Sequence, residues 1–136
     1  MNGSLALHLA GLTAHVLTGV YWVGGALVLA RFGPLTGGQR LRRSQLLAAT
    51  FAMLLGVWLW LGHSGEWSRP QARAMMLAAL AAVVAAGVQS GFGLRASRQL
   101  DGPDDAGARR RLRVIDGTAA SLLVVALMAM VLAHRF

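Results

Sequence analysis

Four histidines and two adjacent methionines are the side chains of this sequence best suited to chemistry: His8, His15, His63, His134, Met75 and Met76. Imidazole nitrogen together with thioether sulfur suits copper, above all Cu(I). Neutral imidazole suits haem iron equally well. His8 and His15 lie two helical turns apart, so one face presents both rings about 10 Å apart along the axis. Gly11, Gly19 and Trp22 share that face, and glycines let a neighbouring helix come close. The plainer alternative keeps His8 at an interface, His15 packed and hydrogen-bonded, His63 and His134 at the membrane surface, and the methionines as gap fillers. The chain has no cysteine, which removes disulfides, thiolate metal sites and Cys nucleophiles. It also has no phosphate-binding loop, dinucleotide fingerprint, HExxH or nucleophile elbow. No catalytic residue is assigned, and enzyme or non-enzyme stays open.

The elements that must position these side chains follow from composition. Of 136 residues, 56% are hydrophobic and only 13% charged, where soluble domains carry about a quarter charged. The apolar residues fall in four runs, 4–30, 45–62, 74–94 and 115–133. Each comes close to the ~20 residues that cross the hydrocarbon core as a helix. Backbone groups in lipid must be satisfied internally, so these runs are helices. Barrel strands would be shorter and would alternate in polarity. The first run has no basic leader and is too long for a signal peptide. The expected fold is all-α: one domain, 1–136, an integral membrane four-helix bundle.

The formal charge is +8, and all thirteen basic residues are Arg. They form no basic face, so nucleic acid is not the expected partner. Segments 31–44 and 95–114 hold ten of them; Arg69, Arg73 and Arg135 are the other three. The positive-inside rule puts those two segments in the cytoplasm and both termini on the outer side of a bacterial inner membrane. The Arg runs at 40–43 and 109–113 then meet anionic lipid head groups of the bilayer. His8, His63, His134, Met75 and Met76 share one depth near the outer side. So small a bundle has little room for an internal pathway, which points to a homo-oligomer or a membrane partner protein.

Other side chains have plainer expected roles. Met53, Met128 and Met130 pack the core, and Trp58, Trp60 and Trp67 form an aromatic belt. Gln89 makes an interhelical hydrogen bond. Asp116, at the start of the fourth helix, pairs with Arg113 one turn back, or with Arg31 if the first and fourth helices are adjacent. Gly33-Pro34 ends the first helix. Gly102-Pro103-Asp104-Asp105 is a turn.

The pattern His15, Trp22, Gly24-Gly25, Arg31 resembles the opening helix of CopD-type copper-resistance membrane proteins. It is similar also to HemJ-type protoporphyrinogen oxidases. Further along, Arg42-Arg43 precede a span with Leu54-Leu55-Gly56-Val57. The third span closes from Gln89 to Arg95, and the fourth opens with basic residues before Asp116. The resemblance covers nearly the whole chain. It implies a four-helix membrane domain and a role in copper movement; the HemJ-type branch implies b-type haem and electron transfer from a porphyrinogen. His15 would be the haem or metal ligand, with Trp22 and Arg31 as framework. Both branches tend to carry Lys near the start of the third span. This chain has no Lys, and Arg73 or Met76 stands there. Arg does not deprotonate, which counts against the enzyme. Copper and haem b both stay open as cofactors.

Overall fold

Apolar length becomes helix in four places. The computed structural model describes residues 3–33, 38–63, 67–97, 105–133 and 135. Helix α1 spans Gly3–Phe32, α2 Gly38–His63 and α3 Arg69–Val88. A π-turn, Gln89–Gly93, carries α3 into the short α4, Leu94–Ser97; α5 spans Asp105–Ala133. The π-turn and α4 prolong α3, so the molecule has four long rods. All four are long and apolar enough to cross a membrane: Leu5–Phe32, Arg40–Gly62, Arg69–Ala96 and Ala106–Ala133. The protein is a multi-pass membrane protein by this measure, and no strand occurs among the described residues.

The helices overrun the expected apolar runs where arginine is dense. α2 begins at Gly38 and not at 45, and α5 at Asp105 and not at 115. Arginine is a good helix former, and the long stems of exposed arginines such as Arg40 and Arg43 keep their charge wet while the backbone stays helical. Arg40, Arg42 and Arg43, and likewise Arg109 to Arg113, therefore sit on helices and not in loops. The expected turn at 102–105 lies outside the described residues except for Asp105, which opens α5.

Helix ends follow local chemistry. Gly33 takes φ +76° and donates its N–H to the Leu29 carbonyl at 2.9 Å, closing α1 with a left-handed cap that glycine adopts without strain. Gly33 itself thus ends the helix, and Pro34 lies outside the described residues. At α3, the Ser68 hydroxyl accepts from the Gln71 N–H while the Gln71 side chain accepts from the Ser68 N–H, with Pro70 in the first turn. Ahead of it, Trp67 meets Trp60 edge to face at 4.9 Å.

Packing puts small residues inside and large ones outside. α3 packs most extensively on α5, and α1 on both α2 and α5; α2 and α3 scarcely meet. The central core joins Trp22 and Ala26 of α1 with Ala49 and Ala52 of α2, Ala85 of α3 and Ala119 of α5. A second cluster, Ala78, Ala81, Ala126 and Ala129, zips α3 to α5 alone. Leu17, Leu61 and Leu80 point outward, as lipid-facing side chains should. Lipid offers helices no hydrophobic drive to associate, so close approach through alanine supplies the dispersion contact. Outward hydroxyls are satisfied by their own helix: Thr13, Thr50 and Thr118 each donate to the carbonyl four residues back. Met53 and Met130 pack against the core clusters as expected, but Met128 faces outward. Its neighbour Ala129 takes the inward position on α5.

Candidate functional site

The end of the bundle where α1 and α3 finish and α2 and α5 begin holds a buried polar centre. Trp22, Arg42, Gln45, Gln89 and Asp116 are each between 1% and 4% exposed. Four helices contribute. On α2, Arg42 and Gln45 continue the inward stripe of Ala49, Ala52 and Gly56, at alternating steps of three and four. On α5, Asp116 stands one turn before Ala119 and Ala120 on the buried face.

Arg42 grips Asp116 with both guanidinium nitrogens, Nη1 to Oδ1 at 3.1 Å and Nη2 to Oδ2 at 2.8 Å. This two-pronged geometry is the strongest form of the pair. It corrects the expectation that Asp116 pairs with Arg113 or Arg31. Arg113 is exposed, and its guanidinium lies near Gly33 at the close of α1. Arg31 is exposed on α1. Arg42 alone comes from a helix whose inward stripe leads to the carboxylate, and Gly93 of the π-turn leaves the space its guanidinium fills. A side chain at Gly93 would collide with Arg42.

Beside the ion pair, the Trp22 indole N–H donates to Gln89 Oε1 at 2.6 Å. This is the interhelical bond expected of Gln89. Gln89 opens the π-turn, a form found disproportionately at functional positions. Gln45 lies against Gly25, where any side chain would strike it. The Nε2 atoms of Gln45 and Gln89 are buried without a hydrogen-bond partner among the described residues.

His15 lies deeper along α1, half-buried against α2. Its Nδ1 stands 2.8 Å from the Ala52 carbonyl oxygen. A carbonyl only accepts, so Nδ1 carries the proton, and in the neutral ring Nε2 keeps its lone pair. Gly56, one turn beyond Ala52, clears the space: a Cβ there would stand 3.1 Å from His15 Cε1. Imidazole oriented by a backbone carbonyl is the usual setting of a metal-ligating histidine.

The other expected site residues are dispersed. His8 is half-buried on α1, two turns from His15. Gly11, between them, is covered by the Trp58 ring, and Gly19 faces open space. Met75 is half-buried and Met76 exposed on α3, a helix that makes little contact with α1. The side chain of His63, at the end of α2, and the whole of His134 lie outside what the structure describes. Trp22 belongs to the polar centre, whereas Arg31, nine residues on, lies on the opposite side of the helix. Among the described residues no three His, Cys, Asp or Glu side chains converge in a metal-binding group. His15 is prepared as a ligand by its bond to the Ala52 carbonyl. Arg42 and Gln45 are the residues sequence reasoning missed, and their place on the stripe that leads to Gly56 was the available signal. No family model, no curated protein and no solved structure matches the chain.

Proposed function

We propose that the protein is a multi-pass inner-membrane protein that handles a metal, copper first, by imidazole ligation at His15, as the resemblance to CopD-type proteins implies. The observation that carries this reading is the Nδ1 bond to the Ala52 carbonyl, which leaves Nε2 as the ligating nitrogen. The remaining donors would come from His63 and His134, whose side chains lie outside the described residues, or from a second copy of the chain, since His8 stands two turns away and Met75 and Met76 stand on a helix that makes little contact with α1. The arginine asymmetry supports a cytoplasmic polar centre and outer termini. On this reading Arg42, Gln45, Gln89 and Asp116 fix how the helices meet and so hold α1 against α2 at His15.

One observation favours a second reading. A single prepared imidazole suffices as axial ligand to haem, whose porphyrin fills four iron positions, whereas copper needs several protein donors. The same His15 Nε2 would then hold b-type haem.

Purification in mild detergent, with a visible spectrum and copper and iron contents, separates the readings. Copper that is lost in His15→Ala and reduced in Gly56→Val, with no Soret band, supports the first. A Soret band with stoichiometric iron, lost in His15→Ala, replaces copper with haem. Neither cofactor in the wild-type protein overturns both and leaves a non-catalytic membrane subunit.

A further inference from the structure

Where α3 passes through the π-turn into α4, it faces the first turns of α5 across a cleft of about 760 Å³. That volume falls within the roughly 300–1,000 Å³ that drug-sized ligands occupy, far more than a bare inorganic anion needs. Its walls divide by chemistry. Phe92, Val114 and Ile115 give an apolar side, and Arg95, Arg110 and Arg111 a cationic one. Phe92 and Val114 are each more than 60% exposed, so the apolar side runs onto the lipid-facing surface.

Charge at this end calls for an anion. In sequence, segments 31–43 and 95–116, whose described parts meet at this end, carry ten arginines against four aspartates, a net of +6. Asp116 is already committed to Arg42. The guanidinium fork matches phosphate oxygens in pairs.

We propose that this cleft binds one anionic phospholipid. Its phosphate lies among Arg95, Arg110 and Arg111, and an acyl chain runs along Phe92 and Val114. The site needs no metal and stands apart from the His15 reading.

Mass spectrometry of the intact protein, released from nanodiscs of mixed phosphatidylglycerol and phosphatidylcholine, tests this. Both lipids carry the same phosphate, but choline cancels its charge. Wild-type protein should retain phosphatidylglycerol selectively. Arg95→Gln with Arg110→Gln should reduce that retention roughly tenfold or more. Arg40→Gln with Arg43→Gln removes equal charge from exposed positions at the same end but outside the cleft, and should reduce retention far less. Val114→Glu, which spares every arginine, should also reduce it. Equal loss in the two double variants would reduce the effect to general charge and overturn the proposal. So would displacement of the lipid by millimolar inorganic phosphate, which would assign the arginines to a free anion.

Discussion

The guanidinium of Arg42 holds both carboxylate oxygens of Asp116, across 74 residues of sequence and between two helices that otherwise scarcely meet. The pair therefore ties the start of α2 directly to the inward face of α5, eleven residues past its first residue Asp105, while α1 packs on both. In a bundle whose other contacts are mostly alanine, it is the one directed, charged link between these two helices among the described residues. Breaking a buried pair leaves an uncompensated charge, at about 3–5 kcal/mol. Asp116→Asn and Arg42→Gln should each lower unfolding stability in detergent by about that much. Arg42→Met combined with Asp116→Leu should recover most of the loss. A double variant no more stable than the worse single would show that the two side chains are not coupled.

Two neighbouring glycines should respond oppositely to the same methyl group. At Gly25 the added carbon meets the Gln45 side chain, with Cδ at 2.9 Å and Cγ at 3.0 Å, inside a closed interior. Gly25→Ala should destabilise by about 1–3 kcal/mol through overpacking. Gly24 has nothing within 4 Å. Gly24→Ala should gain up to about 0.5–1 kcal/mol from reduced chain entropy. Thermal melts of the two variants side by side measure the contrast.

The bond from Trp22 to Gln89 is expected to show the asymmetry of buried hydrogen bonds. Trp22→Phe removes the donor and leaves Gln89 Oε1 unmet, a cost of about 1–3 kcal/mol. Adding Gln89→Leu removes the orphaned acceptor and should return much of that loss. A double-mutant cycle on unfolding free energy reads the coupling directly.

Gln45 offers the reverse case. Its Nε2 is buried with no described partner, so Gln45→Met keeps the volume and discards an unmet donor. Stability should hold or rise by up to about 1 kcal/mol. A loss larger than that would mean the amide has a partner whose removal matters.

The four spans were legible in the sequence because length and hydropathy alone decide them in lipid. Their inner ends were not, since arginine serves helix and aqueous boundary equally well and marks neither. Gln89 was legible as a helix-to-helix donor or acceptor, because a lone amide in an apolar run must bond something. Its partner Trp22 was singled out too, but as cofactor framework. Arg42 was read as one of a topological crowd, and nothing local separates it from Arg40 or Arg43. Only its place three residues before Gln45, on the stripe leading to Ala49 and Ala52, sets it apart. The pairing of Asp116 turned on which helices adjoin, and sequence fixes depth along a helix far better than azimuth around the bundle. The same limit scattered the set of His8, Met75 and Met76, which share a depth but stand on helices that do not pack together.

The alanine interior carries a mechanical consequence. Alanine freezes no rotamers on packing and interlocks with nothing. Among the described residues, the directed bonds between α2 and α5, and between α1 and the π-turn that prolongs α3, gather at one end. Toward the other end α3 and α5 share a smooth alanine seam, and α1 leans on α2 through Ala52, Gly56 and the Trp58 ring. The molecule is thus built like tongs: riveted at the arginine end by directed bonds, with α3 paired to α5 and α1 to α2 beyond it. His15 sits on one arm, beyond the rivet. Its place therefore follows the α1–α2 contact at Ala52 and Gly56 and not the α3–α5 seam.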